Sequence, residues 1–533
     1  MKKNIKWLLL VSLSFVACNN DDDAVAETPV TAGSANFSKY VALGDSFAAG
    51  FSDGALFIKG QQNAYPNIIA GQFAQVGGGV FKSPLMSDNT GGLLFGGGLF
   101  PSDPTQFTPR LVLKGFFNPT TPNIGLVSPQ GSQTTEATTV LAGPFNNLGV
   151  PGAKSFHLLA PGYGSSLGNP YFRRFASAPS TTVLADALSQ NPTFFSLWIG
   201  GNDVLGYAMS GGDGSNPITP TANFDTAYNA LATQLSAGGK KGVVANLPYV
   251  NNLPHFTTVP YNPLSAKALG GGNVAVGDAT IGALNSQLYG PLKLALSQPT
   301  CVTADANSAS RINALLNSTQ MAAVVPVIKG NKLLIKDETL VNLQPQLFVI
   351  FQAPPFNMPA PQAGLFAASF GQARQASAAD LILLSTQSVI GTAPTAANSG
   401  IGFAPPSPLN KFGVTFPLQD KHLLIPTELT EIQTATNAYN VTIEAAANAN
   451  GLAFVDAKSI MDQLVNGGFR FGNYHMTASF LTGGAFSLDG IHPGARGYAL
   501  IANKFIEAIN AKYGSTLRTV DLGNYQIQYP ASL

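Results

Sequence analysis

Apolar runs that end in glycine or a polar residue recur along this chain. Residues 40–43 are apolar up to Gly44, and residues 194–199 lead to Gly200 and Gly201. Residues 243–247 and 452–456 give two more such segments, and a further strand end is expected at residues 145–149. A strand covered on both faces reads as a continuous apolar run instead of an alternating one, so these segments are expected in a parallel sheet. Between them the period becomes helical. Helices are predicted over residues 182–190 and 224–235, and again from residue 427, where Leu429, Ile432, Thr436, Tyr439, Ile443 and Ala446 share one face and Gly451 suits the end. Tyr498, Ile501, Ala502, Phe505 and Ile509 form the stripe of a final helix, with Pro493 just ahead of it. Strands alternating with helices predict βαβ units and hence an α/β fold.

Two long stretches interrupt this pattern. Residues 51–139 are rich in glycine and phenylalanine and show little helical period, including Gly77 to Gly79, Gly91 to Phe100, and Phe116 with Phe117. They form either an apolar wall beside residue 46 or an irregular surface decoration. Residues 248–426 contain one expected helix, at 281–289, and a proline-rich apolar stretch, 348–370. That stretch reads as a lid, as a groove for an acyl chain, or as extended packing segments.

Composition narrows the function classes. Only 10% of residues are charged and the net charge is +1, so the basic face that nucleic-acid binding requires is not expected. A low charge also suits a protein of the cell envelope. The start agrees: a basic segment with Lys2, Lys3 and Lys6 precedes an apolar run from Trp7 to Ala17, as in a secretory signal, and the run is too short to span a bilayer. It ends in Phe15-Val16-Ala17-Cys18, which resembles a bacterial lipobox, and this resemblance implies lipidation of Cys18 after cleavage of residues 1–17. The plainer alternative is an ordinary signal peptide with a chance cysteine. Residues 18–36 then read as a flexible tether. Its acidic run, Asp21 to Asp23, resembles the surface-export tags of lipoproteins of the Bacteroidota, which implies an anchor in the outer membrane with the protein exposed. Cys301 is the only other cysteine, and with no basic residue near it in sequence it is expected to be structural.

The candidate chemistry centres on Gly44-Asp45-Ser46, where the first strand ends and a serine is left at the carboxyl edge of the sheet. A serine nucleophile needs a base, a group that orients the base, and donors for the oxyanion. Asp489 stands three residues before His492, a spacing at which a carboxylate on a turn reaches the imidazole Nδ1 and frees Nε2 for the Ser46 proton. The Ser46 and Gly152 amides and the Asn202 side chain are candidate oxyanion donors. His157, His255, His422 and His475 lack a comparable acid, Asp456 is a reserve orienter, and Asp45 and Asp203 are expected to brace their own loops. Gly164-Ser-Ser166-Leu-Gly168 matches a nucleophile elbow in letters only, because a loop instead of a strand precedes it. No grouping along the chain has metal-ligand spacing, so no metal or other cofactor is expected.

In these blocks and their order the chain resembles the GDSL, or SGNH, hydrolase family: Gly44-Asp45-Ser46 with Gly50, Asn147-Leu-Gly-Val-Pro-Gly152, Gly200-Gly201-Asn202-Asp203, and Asp489-Gly-Ile-His492-Pro493. The resemblance implies a three-layer αβα fold with a flavodoxin-like parallel sheet over residues 37–533. It also implies Ser46 as nucleophile, Asp489 and His492 completing the triad, and Ser46, Gly152 and Asn202 forming the oxyanion hole. The implied activity is cleavage of acyl esters. The phenylalanine-rich insertions favour a lipidic substrate. The alternatives are a carbohydrate O-acetyl esterase and a surface lipoprotein that only binds.

Overall fold

A computed structural model describes residues 29–95, 107–113, 126–127, 132–324 and 330–533. The leader, Cys18, most of the tether and Phe116 with Phe117 lie outside these residues. Five strands form one all-parallel sheet: β1 (Tyr40–Gly44), β2 (Asn147–Gly149), β3 (Phe194–Trp198), β4 (Lys241–Ala245) and β5 (Ala453–Val455). Their order is 2-1-3-4-5. In register, Gly44 lies opposite both Gly149 and Trp198, so the chain leaves β1, β2 and β3 at one level along the sheet.

The core helices are α1 (Ser46–Ala49), α2 (Tyr65–Phe73), α3 (Val183–Leu188), α4 (Asn202–Met209), α5 (Thr221–Ser236), α6 (Pro426–Ala449), α7 (Ala457–Asn466) and α8 (Ala495–Tyr513). Strand alternation sorts the faces. Phe194 and Trp198 project toward α2 and α8, where Trp198 lies 5.8 Å from Phe505 and 5.7 Å from Tyr65 between ring centres. Phe195 and Leu197 project the other way. There α5 and α6 join through stacked Phe224 and Tyr439, 4.0 Å apart. Helices therefore cover the sheet in a manner compatible with a three-layer α/β fold.

The helix α2 falls inside residues 51–139, where little helical period was expected. Pro66 is compatible with the helix because it lies in the first turn, where its missing N–H costs nothing. Among the described residues of that stretch, Leu56, Met86, Leu93 and Ala137 cluster with Ala49 of α1 and with Tyr171.

Residues 248–426 build a second apolar core of their own, which includes buried Cys301. The expected helix at 281–289 is the middle of a longer run: Val274–Leu284, a π-helical turn at Asn285–Tyr289, and Gly290–Leu296. The stretch 348–370 is not extended. It forms a pair of helices, Gln344–Gln352 and Ala360–Phe370, each with proline in its first turn, packed through Phe351 and Phe366 at 5.7 Å. Among the described residues no helix is long and apolar enough to cross a membrane.

Phe505 is fully buried between the sheet and α2. Phe505→Ala is expected to cost about 3–5 kcal/mol, read as a lower urea midpoint of unfolding.

Candidate active site

Ser46 owes its position to two glycines. At Gly44 a Cβ would fall 2.5 Å from the Trp198 carbonyl oxygen, so only glycine lets β1 end this close to β3. Asp45 then caps α1, its Oδ1 accepting the Phe47 amide at 2.9 Å, and Ser46 opens the helix. Gly50, left-handed at φ 85°, closes this single turn through its amide on the Ser46 carbonyl. The result is a serine in the first turn of a helix at the carboxyl edge of the sheet. In a 2-1-3-4-5 sheet the crevice between β1 and β3 is the topological switch point, where such folds bind ligands.

The structure brings Ser46, His492 and Asp489 together. His492 Nε2 lies 2.8 Å from Ser46 Oγ, and His492 Nδ1 lies 2.8 Å from Asp489 Oδ2. Asp489 Oδ1 accepts the amides of Ile491 and His492, each at 2.8 Å, and the Ser487 hydroxyl at 3.1 Å, while Oδ2 also accepts the Gly54 amide at 2.9 Å. Burial pushes the Asp489 carboxyl up, but the facing His492 and these donors outweigh it and hold the group at about 2. An ionised carboxylate can only accept, so the proton between the two belongs to His492 Nδ1 and Nε2 is left as the acceptor for Ser46. The imidazole sits between apolar rings, with Phe51 at 4.6 Å and Phe47 at 5.5 Å.

The other candidate residues meet at the same edge. Gly152, at φ 78°, follows β2, and Asn202 begins α4. Asn202 Nδ2 donates to the Ala153 carbonyl at 3.0 Å, which ties the two loops together. Asp203 fixes the same junction by accepting the Ser155 amide and hydroxyl, both at 2.8 Å. Asp45 and Asp203 thus brace loops, as expected. Neither the Ser46 amide nor the Gly152 amide meets a protein acceptor among the described residues.

The remaining histidines are otherwise engaged. Nδ1 of His157 accepts the Lys154 amide and that of His422 the Gln419 amide, and burial pushes both imidazoles down to about 4. His475 caps the Gly467 carbonyl at the surface. Asp456 caps α7 through Ser459 and binds Asn246, so it does not face His492. Ser166 lies in an irregular turn, and its neighbour Leu167 is 90% exposed.

Sequence reasoning missed the groups that hold the histidine loop. Asp53 accepts the Leu488 amide at 3.0 Å and donates its own amide to Ser487 Oγ at 2.9 Å. Ser52 donates to the Pro493 carbonyl at 2.7 Å, and Tyr498 to that of Phe51 at 2.7 Å. Arg110, 1% exposed, lies 3.6 Å from Asp53 and also donates to the carbonyls of Asn89, Pro530 and Ala531. From the other side, His255 donates its amide to the Gly490 carbonyl at 2.9 Å. The one available signal was Arg110 itself, a charge set deep in an apolar stretch. No protein-family model, curated protein or solved structure matches the chain.

Two outcomes follow from this geometry. Arg110→Met strands the Asp53 carboxylate and is expected to destabilise the fold by about 3 kcal/mol, with most of the loss recovered in Arg110→Met/Asp53→Asn, both read by urea unfolding. Because the folded state holds Asp489 at about 2, below its ordinary value near 4, its stabilising contribution is complete above about pH 4 and is lost as pH falls toward 2. The stability margin of the native chain over Asp489→Asn should therefore shrink across that window in pH-dependent unfolding.

Proposed function

We propose that the chain is a serine ester hydrolase of the GDSL, or SGNH, type. The observation that carries this reading is the pair of 2.8 Å contacts linking Asp489, His492 and Ser46 at the switch point of the sheet. Ser46 Oγ attacks the acyl carbonyl while His492 Nε2 takes its proton. Asp489 keeps the imidazole in the required tautomer and stabilises the imidazolium. The tetrahedral oxyanion is met by the Ser46 and Gly152 amides and by Asn202 Nδ2, which gives one hydrogen to Ala153 and keeps the other for the substrate. Collapse expels the alcohol, which takes the proton from His492, and water then cleaves the acyl-serine by the same route.

An apolar substrate is supported by an apolar cavity whose lining includes residues next in sequence to the triad, though no triad residue itself lines it. Phe47 and Pro493, the chain neighbours of Ser46 and His492, line it together with Trp198, Leu253, Ile460 and Leu464. Its lining suits the alkyl chain of a lipidic acyl ester. Anchoring through a lipidated Cys18 would place the enzyme at the outer membrane, next to such substrates.

The purified full chain is expected to hydrolyse p-nitrophenyl esters with kcat/KM rising from acetyl to longer acyl groups. Ser46→Ala should lower kcat by at least about 10³-fold and Asn202→Ala by about 10²–10³-fold. Activity that survives Ser46→Ala would sink the mechanism. A rate maximal at acetyl would point to carbohydrate esters, and inactivity of the native chain to a binding role. Ile460→Trp, which fills the cavity, should reduce activity on long acyl esters and spare acetyl.

A further inference from the structure

Spacing along the chain shows no metal motif, but folding gathers three distant carboxylates. Glu338 follows the insertion strand Leu334–Lys336, Asp420 lies in the turn Asp420–His422, and Glu428 stands in the first turn of α6. One oxygen from each lies within 4.8 Å of the others. A cation bound at about 2.3–2.6 Å from each oxygen sets its ligands no farther apart than about 5 Å.

A second observation concerns Glu428 alone. It is 4% exposed, its Oε2 accepts the Ile425 amide at 2.7 Å, and its Oε1 is buried with no hydrogen-bond partner. Buried carboxylate oxygens are rarely left without a donor, because desolvation is costly. Among the described residues none of the three carboxylates forms an ion pair with lysine or arginine. Backbone closes the other side: a Cβ on Gly212 would overlap Glu428 Oε1, and one on Gly211 would overlap the Asp420 carbonyl. Glu338 is exposed and leaves the site open to solvent.

We propose that Glu338, Asp420 and Glu428 bind one hard divalent cation of the calcium class. An all-oxygen, anionic donor set excludes soft metals, and an open side lets water complete the six to eight ligands that calcium takes. The ion would join residues of the insertion to the first turn of α6, beside the glycine turn that closes α4. None of the three carboxylates is among the hydrogen-bond partners of the triad, so the ion is assigned to the fold and not to the chemistry. The competing way to relieve the crowding is a proton shared between Glu428 and Asp420.

The test uses the full chain in detergent, stripped with chelator and titrated with CaCl2 by calorimetry, with melting followed in parallel. The expected result is one Ca2+ per chain, a Tm that rises with Ca2+, and weaker binding of Mg2+. Glu428→Gln and the exposed Glu338→Gln should each weaken Ca2+ binding at least tenfold. Glu338→Gln leaves the buried packing intact and guards against a folding defect. No Ca2+ binding by the native chain, with a Tm indifferent to Ca2+, would overturn the proposal in favour of the shared proton. Binding of unchanged affinity in both variants would overturn it by placing the ion elsewhere.

Discussion

The hydrogen-bonded line from Asp489 through His492 to Ser46 sets the terms for the rest of the structure. It joins residues 446 positions apart, and each of its two contacts is 2.8 Å long. A buried carboxylate beside an imidazole is stable only if donors replace the water it has lost. Asp489 has five, counting His492 Nδ1, and they come from its own turn, from Ser487 and from Gly54. The sheet order is what makes the meeting possible. β1 lies inside the sheet, and α8, which begins three residues after His492, packs through Phe505 against Trp198 of the neighbouring strand.

Both insertions serve this line. The first contributes Gly54, Asp53 and Arg110, and the second contributes His255, so the histidine loop is held from two sides. Loop-closure entropy grows only slowly with length, which lets a chain carry such long excursions between sheet strands. The second insertion goes further and buries a core of its own. Its leucines and phenylalanines therefore answer first to packing. The apolar cavity that Phe47 helps to line is formed instead by α7, α8 and the ends of β3 and β5, that is, mainly by the sheet and its flanking helices.

The sequence by itself determined what depends on neighbours in the chain. Apolar runs marked four of the five sheet strands, because a doubly covered strand must be apolar on both faces, and β2, with Asn146 and Asn147, was marked only by its glycine end. Helical stripes marked α3, α5, α6 and α8. The Asp489–His492 unit was legible since both partners share one turn, and Gly44 since the strand must stop there. Tertiary structure decided what depends on contacts between distant segments. The helix α2 was hidden because Pro66 breaks helices in general but not in a first turn. The helical pair at Gln344–Gln352 and Ala360–Phe370 was hidden for the same reason. Asp53 and Arg110, or Glu338, Asp420 and Glu428, carry no signal in their spacing. A charge reveals its role only when burial removes water and folding supplies, or withholds, a partner.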